Sequence, residues 1–199
     1  ISFIKKGAFM KKVFVIALAF LAFAGSNSFA QNEGMNVEEQ MKIWMEYMTP
    51  GPMHEMMAKH VGTWKMVSKI WMDPSTEPQV SEGTVDAEMI LGGRYLKMVA
   101  KFPAMGMQTE GWSIEAYDNG KKEYINVWID NMGTGVAIST GKYDEATKSI
   151  IYHGKMYEPI ANKDIDFKSV SRMISDNEMT FEMFGEFDGK EIKMMEITY

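Results

Sequence analysis

About ten short segments rich in Val, Ile, Tyr, Phe, Trp and Thr follow one another between Thr63 and Tyr199. Gly, Asn and Asp residues separate these segments, and such residues supply the positive backbone angles that tight hairpins need. Strands joined by tight hairpins pair with their sequence neighbours. No long helical pattern interrupts the series, so it restricts this part of the chain to an antiparallel all-β domain.

We predict about ten strands from this pattern. Their expected bounds are 63–72, 80–91, 94–102, 108–117, 123–131, 134–143, 149–157, 165–174, 179–187 and 190–199. A row of this many strands leaves two unpaired edges unless the sheet closes, so we expect an up-and-down barrel. A barrel of this size has room for one small ligand.

The alternation of apolar and polar residues indicates which face of a strand points inward. In the first strand Trp64 and Met66 share a face opposite Lys65 and Lys69, which indicates an apolar inner face. The strand at 123–131 is ambiguous. Its two alternative faces are Tyr124, Asn126, Trp128 and Asp130 on one side, and Ile125, Val127 and Ile129 on the other. If the first set points inward, the lumen is partly polar.

One or two short helices are expected ahead of the barrel, within 31–61, with the barrel itself at 62–199. Asn36 and Glu39 have the spacing of a capping box. Apolar residues then recur at helical spacing at Val37, Met41, Trp44 and Met48. The Pro50–Pro52 stretch ends this pattern, and a further turn or two of helix is expected from Met53 to His60.

The first 30 residues have the layout of a secretory signal. Residues 1–9 are interpreted as a gene-model extension, and 10–30 as a signal peptide with a paired lysine, an apolar run and small residues before the cleavage site at Ala30. The apolar run is too short to span a bilayer. We therefore expect a periplasmic or secreted protein. Because the chain has no cysteine, disulfides, lipid attachment at cysteine and thiolate metal sites are excluded.

The charge balance argues against nucleic-acid binding. Four of the 21 basic residues and none of the 27 acidic residues precede Gln31, so the rest of the chain has a formal charge of −10. Such a surface repels phosphate backbones.

Several motifs resemble known families. Gly62-Thr63-Trp64, placed where a helix meets the first strand, is similar to the Gly-x-Trp that opens lipocalin and other calycin barrels. Five further motifs occur in order: Leu91–Tyr95, Gly111-Trp112, Ala116–Asn119, Trp128–Gly135 and Met195–Tyr199. Together, from about Met53 to Tyr199, they resemble domain-of-unknown-function family 1579 (DUF1579). The resemblance implies a calycin-like barrel with no assigned activity. Members usually continue a few residues past the last motif, so a clipped final strand is expected.

Haem and metal sites are not expected. His153 is the one histidine in a predicted strand, and a related barrel, nitrobindin, holds haem through one histidine. The sequence after Trp64, however, lacks the Gly-rich continuation of nitrobindin-like proteins. His54 and His60 are six residues apart and do not share a helix face, so they do not form a two-histidine metal site.

The sequence contains no recognisable catalytic set. It has no Gly-x-Ser-x-Gly elbow and no phosphate-binding loop that precedes a helix. Aspartates at predicted strand ends, such as Asp118, Asp130 and Asp144, are typical of turns in which Asp binds its own backbone. Whether the chain is an enzyme is left open, with the balance against it.

We favour the binding of one small apolar or amphipathic ligand inside the barrel. The candidate ligand-binding residues are Trp64, Arg94, Trp112, Tyr117, Trp128, Asp130, His153 and Glu196. Methionines at strand positions 66, 89, 98 and 183 line an adaptable apolar pocket or simply fill the core. The alternative functions are a structural or protein-interaction barrel without ligand, and an enzyme that uses lumen carboxylates.

The four aromatic candidates are expected to line or close the cavity. Arg94, Asp130 and Glu196 are expected to form a polar cluster inside or at the mouth of the barrel, with Arg94 paired to one carboxylate. The competing interpretation is that all three are solvated turn residues, whose substitution has little effect on stability.

Overall fold

The computed structural model describes residues 35–199. The predicted extension at 1–9 and signal peptide at 10–30 lie outside the described residues. The chain divides into two compact units, Ile1–Met45 and Glu46–Tyr199, which are described separately. Within residues 35–199, no helix is both long enough and apolar enough to cross a membrane.

Helix α1 covers Val37–Met48. The predicted capping box is confirmed, because the Glu39 amide donates to Asn36 Oδ1 at 2.9 Å and the Asn36 amide donates to Glu39 Oε2 at 3.0 Å. This reciprocal pair satisfies two amides that have no partner within the helix. A second, shorter helix, α2, covers Pro52–Ala58. The expectation of one or two short helices is confirmed.

Ten strands follow the helices, in agreement with the predicted number. They are β1 (Gly62–Ile70), β2 (Gln79–Ile90), β3 (Tyr95–Ala104), β4 (Met107–Asp118), β5 (Glu123–Asp130), β6 (Ala137–Asp144), β7 (Ser149–Glu158), β8 (Lys163–Ser175), β9 (Glu178–Phe187) and β10 (Lys190–Thr198). The largest differences from the predicted bounds lie near turns. For example, β6 begins at Ala137 rather than 134, because the Gly133–Gly135 stretch belongs to the preceding connection.

The strands form a closed antiparallel barrel in sequence order, as predicted. Each strand pairs with its neighbours in the chain, and β1 closes the sheet by pairing with β10 from Val67↔Thr198 to Ile70↔Met195. Closure removes both exposed edges. The architecture is consistent with a calycin-like fold.

Pairing fixes which side chains point inward, because residues directly opposite each other across a pair of strands share a face. Val85 is 1% exposed and points inward. Val85 pairs with Ala100, Ala100 with Gly111 and Gly111 with Asp130, so these residues all lie on the inward face. The same reasoning places Tyr124, Asn126, Trp128 and Asp130 inside. The ambiguity of the 123–131 strand is thereby settled: its Ile and Val residues face outward, and the lumen is partly polar.

Two apolar clusters fill part of the barrel. The first contains Met57, Leu96, Tyr124 and Tyr152, all at most 2% exposed. The second surrounds the buried residues Met66, Val85 and Ala100. Trp64 and Met98 pack against both clusters.

Helix α2 closes one end of the barrel through Met57. Polar contacts hold the segment before it: Arg94 Nη2 donates to the Met48 carbonyl at 2.8 Å, and Asn119 Nδ2 donates to the Thr49 carbonyl at 2.8 Å. His54, which is 5% exposed, accepts the Gly51 amide at Nδ1. Burial lowers the pKa of His54, and the Arg94 charge lowers it further, so the neutral form that can accept this bond is favoured.

Met57→Ala should destabilise the protein by about 2–5 kcal/mol, because the substitution leaves a cavity under α2. Urea unfolding measures the change. Met72→Ala removes a side chain that is 68% exposed and serves as the control, with an expected change below about 0.5 kcal/mol. Equal effects of the two substitutions would contradict the role of α2 as a packed closure.

Candidate functional site

The inner face of β4 is unexpectedly polar. Thr109, Ser113 and Glu115 point into the barrel, while Trp112 and Ile114 point outward. Across β4–β5 the register pairs Glu115 with Asn126, so the polar strip continues onto the next strand. This arrangement brings a carboxyl group into the interior.

Glu115 is 6% exposed and bonds across the barrel. The hydroxyl of Tyr152, on β7, donates to Glu115 Oε2 at 2.8 Å. Because β5 and β6 lie between β4 and β7 in the sheet, this bond spans the interior rather than running along the wall. Glu115 Oε1 has no hydrogen-bond partner among the described residues. A buried polar atom without a partner is costly, so such an atom requires an explanation.

The buried position changes how Glu115 titrates. Burial raises the pKa of the Glu115 carboxyl to about 7, although the bond from Tyr152 acts in the opposite direction. Burial, together with the charge of Glu115, also raises the pKa of Tyr152. The phenol therefore stays protonated and remains a donor at neutral pH.

A second polar pair lies beside the carboxyl. Asn126 Nδ2 donates to Ser113 Oγ at 2.6 Å, and both side chains point inward and are only partly buried. Ser139, opposite Asn126 on β6, and Ser169, opposite Tyr152 on β8, are buried inward-facing hydroxyls. Together they form a band of hydrogen-bonding groups across four strands.

The wall formed by β8–β10 is apolar and incompletely packed. Phe167, Phe181, Met183 and Met195 point inward, and each keeps part of its surface exposed. In contrast, the residues of the two clusters described above include side chains that are at most 1% exposed. These four wall residues are therefore less completely buried than the side chains of the two clusters. Met66, Met89, Met98 and Met183 all point inward, as expected for either predicted role.

The sequence model of one protein family, described as a protein of unknown function (DUF1579), matches residues 49–199. The chain belongs to the DUF1579 family. The resemblance found in the sequence is therefore confirmed. Among curated proteins, no match to this chain is found.

Three of the predicted aromatic residues point into the DUF1579 barrel. Trp64 lies between the two clusters, and its indole Nε1 donates to the His60 carbonyl at 2.8 Å. Tyr117 packs edge-on against Tyr124, with ring centroids 4.9 Å apart. Trp128 lies over Gly111, where its ring occupies the space of a missing side chain. Their ligand contacts stay predictions.

Two predicted residues point outward, which corrects their expected place in the cavity. Trp112 is 40% exposed, its Nε1 donates to Glu110, and Lys97 lies 4.5 Å from its ring centroid. His153 lies on the outer face of β7, where it borders a groove of about 620 Å³. The charged residues that line this groove, Lys155 and Asp166, are both exposed. The physical reason is the same for Trp112 and His153: the strand register places them on the outer face of the barrel, independently of their side-chain polarity.

The structure does not bring Arg94, Asp130 and Glu196 together. Arg94 binds backbone carbonyls beside α2, at the edge of a 260 Å³ pocket shared with Tyr117. Asp130 lies about five residues, roughly 17 Å, farther along the barrel wall. Its Oδ2 accepts Trp128 Nε1 at 2.7 Å, while its Oδ1 accepts the amides of the following turn.

Glu196 faces outward on β10. It pairs with Lys193 and Lys69, both at 2.9 Å, and hydrogen bonds from these two lysines lower the pKa of Glu196. The predicted Arg94–carboxylate pair is thus replaced by local partners for each residue. The turn interpretation is confirmed for Asp118, Asp130 and Asp144, each of which accepts amides of the following residues.

Sequence reasoning missed Glu115 and Tyr152. In β4, Trp112 and Ile114 are the more apolar face, and that face normally points inward. The order of the hairpins was the signal that could have found these residues. If Trp64 or Met66 points inward, the successive strand pairings from β1 to β4 determine which face of β4 points inward, provided that each hairpin register is known. Among the described residues, no three His, Asp or Glu side chains are arranged to hold a metal ion.

Gly111→Ala should destabilise the barrel by about 1–3 kcal/mol, because its new Cβ would clash with the Trp128 ring. Gly133→Ala is the control, since the nearest atom to a Cβ there lies 4.0 Å away. Thermal unfolding of both variants provides the comparison. Similar melting temperatures for the two would show that the Trp128 ring moves aside freely.

Glu115→Gln should change how stability depends on pH. Between about pH 4.5 and 7 the folded protein keeps a proton on Glu115 that the unfolded chain releases, so this group lowers stability as pH rises through that window. The amide of glutamine does not titrate. We therefore expect the stability of the variant, relative to the native chain, to rise by on the order of 3 kcal/mol from pH 4 to pH 8.

Urea unfolding at several pH values measures this difference, in which the contributions of His54 and His60 cancel because both proteins retain them. Glu88→Gln, on the outer face of β2 with its carboxylate side chain 65% exposed, is the matched control and should give a pH-independent difference. A flat difference for Glu115→Gln would mean that the carboxyl is solvated in the folded protein.

Proposed function

We propose that this protein is an exported binding protein that holds one small apolar or amphipathic molecule in the lumen of its barrel. The observation that carries the proposal is the partly exposed inner wall of Phe167, Phe181, Met183 and Met195. In a closed barrel, inward apolar surface that water still reaches is available to a ligand.

The polar band supports an amphipathic rather than a purely apolar ligand. Glu115, Ser113 and Asn126 offer hydrogen-bonding groups beside the apolar wall, and a few such groups within an apolar pocket orient a ligand. Methionine side chains are flexible and polarisable, which allows the wall to adapt to the shape of its ligand.

The structure gives less support to catalysis. The oxygens of Asp130 bind Trp128 and the following turn, so this carboxylate is not free to act with Glu115 as an acid–base pair. Export is part of the proposal because of the signal-like sequence at 10–30. Cell fractionation and N-terminal sequencing should find the protein outside the cytoplasm, beginning at Gln31.

Native mass spectrometry of protein released gently from its own cells tests the binding function. We expect a retained non-polypeptide mass with a stoichiometry of one. The extracted protein, stripped of that molecule, should bind the neutral fluorescent probe N-phenyl-1-naphthylamine with increased emission. No retained mass together with no probe binding would favour a structural or protein-interaction barrel.

The matched variants are Met183→Trp, which fills the lumen, and Met72→Trp, which adds the same side chain at an exposed site. Met183→Trp should lose probe binding, while Met72→Trp should keep it. Circular dichroism confirms that each variant retains its strands, and Met195→Trp is a second lumen variant if Met183→Trp does not fold. Unchanged binding in a folded lumen variant would place the probe outside the barrel.

A further inference from the structure

Away from the strand ends, the charged side chains of the described strands that point into the barrel are acidic. Lys163 and Lys190 have the inward register only in the terminal pairs of β8 and β10, where both are exposed. No other Lys, Arg or His side chain of the described strands points inward. Glu115 and Asp130 both do.

Lys168, Arg172 and Lys193 lie on the outer face, where Arg172 and Lys193 pair with Glu182. An anionic ligand head held between the strand ends would therefore find no counter-ion on the inner wall.

The two inward carboxyl groups, Asp130 and Glu115, differ in how many hydrogen bonds they accept. Asp130 accepts three hydrogen bonds from its own chain segment, from Trp128 Nε1 and two turn amides. Glu115 accepts one, from Tyr152, and its Oε1 has no partner among the described residues although the side chain is 94% buried. Glu115 is thus the inward carboxyl with unused capacity to bind a donor.

Among residues 35–199, no charged group is bonded to that oxygen, and no neighbouring charge shifts the pKa of Glu115. The titratable groups around Glu115 are phenols: Tyr152 on β7 bonds to it, and its charge acts on Tyr124 on β5. Tyr117 on β4 and Tyr143 on β6 lie in turn beside Tyr124. From β3 and α2 the neighbouring groups of this cluster are Leu96 and Met57, which carry no charge. His54, which contacts Tyr117, is favoured in its neutral form. The phenol rings add faces that attract cations.

We propose that the polar end of the ligand is a cationic amine and that Glu115 is its counter-ion. This inference rests on the proposed function, since it assigns the chemistry of a ligand held in the same lumen. An ammonium group supplies the N–H donors that Glu115 Oε1 lacks and the positive charge that the inner wall lacks. Glu115 Oε1 is buried in the unliganded barrel, so a ligand reaches it when the partly exposed Ser113 and Asn126 side chains beside it move.

Pairing with an amine requires Glu115 to give up its proton. Burial raises the pKa of this carboxyl to about 7, so the fraction of ionised Glu115 in the empty protein grows about tenfold between pH 6 and pH 8. The affinity for an amine should rise over the same pH range, because the ionised form of Glu115 is the one that pairs with an ammonium group. A neutral ligand of the same length should show no such rise.

Three amphiphiles with one chain length test the inference: dodecylamine, dodecanol and dodecanoate, each displacing N-phenyl-1-naphthylamine below its aggregation concentration. At pH 8 we expect the amine to bind most tightly and the carboxylate least. From pH 6 to pH 8 the amine affinity should increase by about tenfold, in step with the ionisation of Glu115. Displacement is followed by the loss of probe emission.

Glu115→Gln should remove both the preference for the amine over the alcohol and the pH dependence of amine binding, while circular dichroism shows that the variant keeps its strands. Glu88→Gln, which removes an outward carboxylate, should keep the native preference and so controls for attraction to the acidic surface. Equal displacement by all three amphiphiles, or a preference unchanged in Glu115→Gln, would overturn the amine assignment alone. No probe binding and no displacement by any amphiphile would overturn the binding function itself.

Discussion

The pairing of β1 with β10 is the constraint on which the barrel depends. Four residue pairs join these strands, and the last residue extends the adjoining ladder because Tyr199 and Met179 exchange backbone hydrogen bonds at 2.9 and 3.0 Å. Without this seam, ten strands would have two free edges and no enclosed side. With it, alternate residues of every strand become interior, and a carboxyl such as that of Glu115 is removed from bulk water.

The interior has one closely packed region and one region in which the side chains are less completely buried. Met57, Leu96 and Tyr124 pack tightly beneath α2, while the wall of β8–β10 leaves apolar surface uncovered. The Tyr152–Glu115 bond links these regions, because Tyr152 belongs to the packed cluster and its neighbours across β8 and β9 are Ser169 and Met183. A polar contact at this position joins β4 to β7 across the two strands between them.

The strand number, the hairpin order and the closed barrel could be predicted from the sequence because turn residues and strand propensity are local signals. The candidate site could be predicted only in part. Tyr117 and Trp128 were expected inside and are inside, but Trp112 and His153 face outward. Side-chain polarity does not predict the inward face of β4, because the apolar residues of this strand lie on the outer face. The strand register determines the inward face, and the register depends on hairpin geometry that a single sequence does not specify.

The methionines of the inner wall give the lumen a chemical vulnerability. Met183 and Met195 expose part of their thioether-bearing surface inside the barrel. Oxidation would convert each thioether to a polar sulfoxide, which is larger and accepts hydrogen bonds strongly. Such a change would turn the apolar wall into a second polar surface opposite Glu115. An oxidant in the surroundings would thereby change the polarity of the barrel interior.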